Sequence, residues 1–411
     1  MDELLDRRLE DVAMSKPKTN TVTDLVGNRF STARPFPPYH VLVCDLLNDL
    51  SIALRSEEDA PKYPDIMAFA FWCRKSNITK LKDHFDKRFP RLGLGVAFHI
   101  APSNVPVNFA FSFAFGLLSG NGNIVRVPSN RFPQIDIICD ALNQVLNLNK
   151  YREIKAVTHF VRYESNDTIT AEYSSICDAR LIWGGNETIR KVRQIEVPQR
   201  NVEMAFSDRY SFCMMDAPSI TELTEIELSR LAKNFFNDSY LMDQNACSSP
   251  HLVLWRGDRK DEAKYRFWTA LHKIIENNYA LSPAAAVDKY TRLCANAIEL
   301  ESIQTLNQHG NSIYRMTLNE VDKNNDSLRG KFGYFYEYDI DDINTVSHIV
   351  NNKYQTLTYY GVDKSKLLSF VIDNRLSGID RIVPVGSALN ISVVWDGYDV
   401  IGTLSRIIDV Q

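Results

Sequence analysis

The sequence predicts an α/β protein, with a doubly wound parallel sheet followed by a second α/β domain. Three observations lead there. From Gly93 onward, short β-rich runs alternate with helical stretches, the pattern of strand–helix–strand crossovers. Each run stops at small or polar residues, with Ala-Pro-Ser-Asn at 101–104, Pro-Ser-Asn at 128–130 and Gly-Gly-Asn at 184–186, as where crossover loops gather at one edge of a parallel sheet. After Ser207 a second series of strands and long helices begins.

Taken in order, residues 1–90 read as an N-terminal arm and helices, broken at Arg34-Pro-Phe-Pro-Pro38. Strands are expected at 95–100, 123–127, 156–161, 179–183 and 201–204. These make 91–206 a nucleotide-binding type of sheet domain. The apolar stretch 105–118 contains Pro106, Asn108 and Ser112 and falls short of the roughly 20 residues that cross a bilayer, so it reads as a buried helix. In the second domain, 207–380, strands are expected at 210–215 and 251–255 and helices at 220–238 and 262–278. The segment 381–411 has strand-like runs at 382–385 and 391–395 around Gly and Asp turns. It reads as a C-terminal return to the first domain or as an oligomerisation segment.

Bulk properties narrow the function classes. A net charge of −4 over 411 residues offers no global field for nucleic acid or an anionic membrane. Seven cysteines, at 44, 73, 139, 177, 213, 247 and 294, include no Cys-x-x-Cys pair, which speaks for a reducing, cytoplasmic setting over a disulfide framework. The N-terminus, Met1-Asp-Glu-Leu-Leu-Asp-Arg-Arg, lacks the form of a signal peptide. The eight histidines fall into no ligand spacing, so no metal is expected.

Cys247 alone among the cysteines sits between small polar neighbours, in Asp-Gln-Asn-Ala-Cys-Ser-Ser-Pro, while the others lie in apolar runs. A thiolate between a loop and a strand can attack a thioester, ester or aldehyde carbonyl; a buried filler thiol is the other reading. Asn104, in His99-Ile-Ala-Pro-Ser-Asn-Val-Pro-Val-Asn108, has two readings as well. Its amide can donate to an oxyanion or cap the following helix. Two loops have the setting of a dinucleotide site, Arg126-Val-Pro-Ser129 and Gly184-Gly-Asn-Glu-Thr-Ile-Arg190, the latter opening a helix whose amino end suits a phosphate. Neither is a Gly-x-Gly-x-x-Gly fingerprint, and Gly93-x-Gly95 precedes its strand instead of following it. Glu203 reads as an acid at a strand end, either a general base or a solvated carboxylate.

Together these pieces resemble the LuxC family of acyl-CoA reductases, a branch of the aldehyde dehydrogenase superfamily. The most specific segments are Phe98-His-Ile-Ala-Pro-Ser-Asn-Val-Pro-Val-Asn-Phe109 and Gly120-Asn-Gly-Asn-Ile-Val-Arg-Val-Pro-Ser129. Supporting them are Trp183-Gly-Gly-Asn-Glu187, Phe206-Ser-Asp-Arg-Tyr-Ser-Phe212, the Cys247 octapeptide, Val383-Pro-Val-Gly-Ser-Ala-Leu389 and Trp395-Asp-Gly-Tyr-Asp399. The resemblance implies an aldehyde dehydrogenase-like fold, Cys247 as the thioester-forming nucleophile and Asn104 as the oxyanion donor. It implies cofactor contacts at Ala101, Pro102, Ser103, Arg126, Pro128, Ser129, Gly184, Gly185 and Asn186. Glu203 aligns with the start of the superfamily's Glu-Leu-Gly-Gly motif, but Met204-Ala-Phe departs from it. Ser129 stands where NAD-preferring relatives often carry Glu, which removes repulsion against a 2′-phosphate and implies NADPH.

The activity implied is NADPH-dependent reduction of a fatty acyl thioester to aldehyde through an S-acyl-cysteine. The donor is acyl-CoA or an acylated protein, with acyl-protein synthetase and acyltransferase partners in prospect and a homo-oligomer formed through C-terminal strands. The aromatic run 109–115 reads as core or as the wall of an acyl tunnel. The rivals are reduction of an acyl phosphate, a non-redox cysteine acyltransferase or thioesterase, and a non-catalytic binding protein.

Overall fold

The computed structural model describes residues 22–411; the first 21 residues of the expected N-terminal arm lie outside them. Two compact units are present, and the chain leaves the first after Ser207 and rejoins it at Asp399–Gln411. The segment 381–411 is therefore divided between the units and does not act as one piece.

The first unit's sheet contains β1 (Thr23–Gly27), β3 (Val96–Ile100), β4 (Gly122–Arg126), β5 (Thr158–Arg162), β6 (Ala179–Trp183) and β7 (Val202–Phe206). Its order is β1-β5-β4-β3-β6-β7. β3 to β7 are parallel, and their order reverses between β3 and β6, the doubly wound arrangement whose crevice lies at that switch point. β1 adds an antiparallel edge against β5, where the sequence suggested only irregular chain: five residues with a single buried side chain, Val26, carry too little alternation to read as a strand. A separate short strand β2 (Arg91–Gly93) pairs with Ser405–Ile407, which ties the C-terminus to this unit.

The helix Asn108–Leu118 is hydrophobic on all sides because it is covered on all sides. Phe113 packs edge-on to Phe160 of β5 at 4.8 Å, and Phe111 to Phe69 of the helix Pro64–Trp72 at 5.0 Å. Its phenylalanines are core.

In the second unit, strands β8 (Tyr210–Asp216), β9 (Pro250–Arg256), β10 (Ile303–His309), β11 (Ile313–Leu318), β12 (Tyr334–Ile340), β13 (Tyr354–Tyr360) and β14 (Arg381–Pro384) form one sheet in the order β10-β11-β12-β9-β8-β13-β14. All its ladders are parallel except β10 with β11. The helix expected at 220–238 is two, Ala217–Thr221 and Glu225–Ser239, because Thr224 and Glu227 form a capping box that starts the second afresh. Of the run 391–395 only Val394–Trp395 is extended.

Candidate active site

In the first unit the candidate loops converge on the carboxyl ends of β3, β4 and β6. After β3 the chain turns through 101–107, with Ala101 buried, Pro102 half-buried and Ser103 and Asn104 exposed. The helix begins only at Asn108, with Val107 at its cap and no side-chain cap bond. Asn104 lies too far ahead to satisfy the helix start, so the capping role is set aside. Among the described residues its amide has no hydrogen-bond partner. The neighbouring loop is tied to it: Asn130 Nδ2 donates to the Ser103 carbonyl at 3.0 Å, and the Ala101 N–H to the Arg126 carbonyl at 3.1 Å.

Arg126 ends β4 with its guanidinium 4.6 Å from the Tyr163 ring centre and its Nε buried without a partner among the described residues. Pro128 is buried and Ser129 half-buried. After β6, the Gly184 N–H donates to the Phe206 carbonyl at 3.2 Å, and Gly185 caps the helix Asn186–Arg193. A side chain at Gly185 would meet nothing within 4 Å, so the start of this helix is uncrowded at that position. An anionic dinucleotide fits such a helix start, and Arg126 offers it a cation.

Beneath these loops lies a buried polar chain that sequence reading missed. Trp183 Nε1 donates to Ser112 Oγ at 2.9 Å, Ser112 lies 2.7 Å from His99 Nδ1, and His99 Nε2 lies 3.0 Å from Asn123 Oδ1. Burial drives the His99 pKa down to about 4, so the ring is neutral and can donate at Nε2 and accept at Nδ1. One hydroxyl thereby fastens the helix that follows Asn104 to both β3 and β6. Only the alternation of His99 with apolar neighbours hinted at it.

Glu203 is corrected. It is the second residue of β7, directly beside Arg180 of β6, and so stands toward the amino end, away from the loops. Arg180 and Arg193 both donate to its carboxylate, the latter at 2.7 Å. Burial alone would raise its pKa, but the two arginines overcome this and hold it below the usual carboxylate range. It is an ion-pair partner, poorly suited to accept a proton.

In the second unit Cys247 sits half-buried on the loop leading into β9. That loop is built stiff. Asp243 and Gln244 take left-handed φ values of 51° and 61°, a strained conformation that needs support. Gln244, 1 % exposed, supplies it with every hydrogen-bonding atom it has. Its Nε2 donates to the carbonyls of Pro250 at 2.9 Å and Tyr334 at 3.0 Å, while Oε1 accepts from the N–H groups of Gly333 and Tyr334, each at 3.2 Å. On the far side Ser211 Oγ donates to the Cys247 carbonyl and Ser249 Oγ to the Asp238 carbonyl, both at 2.7 Å. The carboxylate of Asp238 in turn accepts from the Gly386 and Ala388 N–H groups at 2.6 and 2.9 Å.

Burial pushes the Cys247 thiol up; the Arg209 N–H opposes this, Asp396 and Asp208 add to it, and Arg329 lowers it. The charged neighbours come from distant stretches of chain and were invisible in sequence. Arg209 pairs with Asp380, and Arg329 with Asp208 at 2.8 Å, so the two arginines are largely neutralised. Among the described residues no group of metal-ligating side chains occurs, and no helix is long and apolar enough to cross a membrane.

The profile of the acyl-CoA reductase (LuxC) family matches residues 76–407. A long-chain acyl-protein thioester reductase of Vibrio harveyi is 23 % identical over 327 residues, covering 78 % of this chain and 64 % of that protein. A protein of the same description from Photorhabdus laumondii subsp. laumondii is 22 % identical over 330 residues, covering 79 % and 64 %. The chain thus spans less than two thirds of these relatives' length. Among solved structures, a 1-pyrroline-5-carboxylate dehydrogenase from Thermus with bound NAD superposes with a TM-score of 0.61 at 12 % identity, covering 89 % of this chain and 80 % of that one. The fold is that of the aldehyde dehydrogenases.

Proposed function

The chain belongs to the acyl-CoA reductase (LuxC) family, and from that premise we propose that it reduces long-chain fatty acyl thioesters to aldehydes through an acyl group carried on Cys247. The observation that carries this reading is the doubly wound sheet with exposed loops at its switch point, in one chain with a cysteine on a rigid loop. A thioesterase or acyltransferase would leave the first feature without use. The relatives' descriptions favour an acylated protein as donor, with acyl-CoA as the alternative.

Cys247, once deprotonated, attacks the acyl carbonyl, and the stiff loop holds its sulfur against the entropy of attack. The family resemblance assigns Asn104 and the Cys247 N–H as donors to the oxyanion. The donor thiol leaves, and the acyl group stays on sulfur. Arg126, Ser129, Gly185 and Asn186, with the 101–103 backbone, would hold a dinucleotide, and Ser129, where NAD-preferring relatives often carry Glu, would favour NADPH over NADH. When bound, that cofactor supplies the hydride that reduces the thioester. The resulting thiohemiacetal then collapses to aldehyde and the Cys247 thiolate. Glu203, held by Arg180 and Arg193, is given no part in the reaction. Acyl phosphate reduction is the lesser reading, since the arginines beside Cys247 are already paired.

The test is a long-chain acyl-CoA or acylated protein mixed with NADPH, following the nicotinamide absorbance. Oxidation is expected, and its loss in Cys247→Ala. Release of free thiol without NADPH oxidation would instead establish a transferase or hydrolase.

A further inference from the structure

A turn near the end of the second unit lies where turns are rarely found. Val394–Trp395 and Tyr398–Asp399 pair as a two-stranded hairpin, closed by Asp396 and Gly397 at φ values of 48° and 77°. Asp-Gly is a favoured pair for a two-residue turn with both φ positive, so the run Trp-Asp-Gly-Tyr accounts for the turn itself. It does not account for its position. Hairpin tips ordinarily stand in water, whereas Asp396 is 9 % exposed, and an aspartate is seldom buried so far without an ion-pair partner. The side chain that bonds it is neutral: Gln355 Nε2 donates to Asp396 Oδ1.

The strand that holds Asp396 also holds the Cys247 loop. Gln355 of β13 accepts from Thr356 Oγ1 at 3.2 Å, and the Thr356 N–H donates at 3.1 Å to Ser211 Oγ, the hydroxyl that donates to the Cys247 carbonyl. Two adjacent residues of β13 thereby fix the carboxylate and, through Ser211, the backbone of the cysteine. Among charged side chains Asp396 acts most strongly on the Cys247 thiol, ahead of Asp208 and Arg329. Asp208 is the rival acid, but it is exposed and bonded to Arg329 at 2.8 Å. The charged groups that face Asp396 are Arg209, Asp380 and Arg381. Burial raises its pKa; Arg209, Gln355 and Arg381 oppose this, and Asp380 adds to it. Arg209 is paired with Asp380, and Arg381 donates to the carbonyls of Ser387, Ala388 and Asn390. Asp396 is thus left a carboxylate that can accept a proton.

We propose that Asp396 takes the proton of Cys247 as the thiol attacks the acyl carbonyl and returns it to the sulfur of the departing donor. This rests on the reading of Cys247 as the acyl carrier. The Cys247 S–H bond breaks, its proton passes to the carboxylate directly or through one water, and the bond from Sγ to the carbonyl carbon forms. When the bond from that carbon to the donor sulfur breaks, the Asp396 carboxylic acid protonates the leaving thiolate. The products are S-acyl-Cys247 and a free thiol, with protons and electrons conserved. The arrangement reconciles a nucleophile with a raised thiol: the negative charge that keeps the sulfur protonated at rest is the base that removes the proton during attack.

Two reactions of Cys247, each followed across pH, test this. Alkylation by iodoacetamide, read at Cys247 by mass spectrometry, needs only the thiolate; uptake of label from radiolabelled hexadecanoyl-CoA also needs the proton moved. In the unaltered chain acylation should reach its full rate at a lower pH than alkylation does, because a carboxylate ionises before a thiol. Asp396→Asn keeps the turn, since Asn tolerates a positive φ, and its urea midpoint should hold. Removing the negative charge moves its alkylation midpoint down. Its acylation at neutral pH slows by about 100-fold, and the acylation midpoint moves up to that of alkylation. A residue that merely propped the loop would not drive the two midpoints in opposite directions. If the variant fails to fold, the two profiles of the unaltered chain decide alone. Profiles that rise together there, or an Asp396→Asn acylation rate within about threefold of normal, would overturn the proposal. Label taken up as well by Cys247→Ala would instead overturn the reading of Cys247, and the role of Asp396 with it.

Discussion

The Asn104 loop and the Cys247 loop are built to opposite designs. Asn104 is exposed on a turn between two prolines, its amide unengaged among the described residues, and the support lies one layer down, in the Ser112–His99–Asn123 chain. Cys247 rides on a loop whose own residues are bonded throughout, from Gln244 on one side to Ser249 and Asp238 on the other. A hydrogen-bond donor that serves a ligand has to be free of protein partners, whereas a nucleophile gains from a fixed position. The two loops divide those requirements between them.

Removing one residue from each loop separates the designs most sharply. Gln244→Ala strips partners from four buried backbone groups and costs about 3 kcal/mol, read as a lower urea midpoint. Asn104→Ala leaves that midpoint unchanged and slows acylation by about 10²–10³-fold, with cofactor affinity retained. A destabilised Asn104→Ala protein, or an unaffected Gln244→Ala one, would break the comparison.

A smaller effect comes from the charges around the thiol. Burial, Asp396 and Asp208 favour its neutral form, so alkylation of Cys247 should keep accelerating as pH rises beyond the ordinary thiol value of about 8.5. Asp208→Asn removes a negative charge, stabilises the thiolate and moves the midpoint down; Arg329→Gln moves it up. Midpoints that ignore both changes would mean that the thiol is governed by burial alone.

The smallest change is expected on the open side. Ser129→Glu should turn preference toward NADH by about tenfold, measured as the ratio of kcat/KM values for the two cofactors. An unaltered ratio would place the ribose elsewhere.

Much of the fold was legible because the strands of a parallel sheet are continuous apolar runs ended by loop residues, and 96–100, 122–126, 179–183 and 250–256 stand out on that ground. β1 was not, since an edge strand needs few apolar residues. The short helix ending at Thr221 was hidden because apolar periodicity continues across the cap that separates it from its neighbour. Of the candidate site, Cys247 was singled out by its polar setting and Asn104 by the family resemblance. Glu203 was misread because its identity as an acid shows in sequence while its two arginine partners, from a neighbouring strand and helix, do not.

Local residue pattern and the limits of backbone geometry by themselves determined the two sheets and the loops that end their strands. Only the tertiary structure decided which groups are free to react. Whether Asn104 caps a helix, whether Glu203 can take a proton and how far the Cys247 thiol is raised depend on partners brought from other stretches of the chain, because hydrogen bonds and desolvation act through space over a few ångströms and take no account of distance along the sequence.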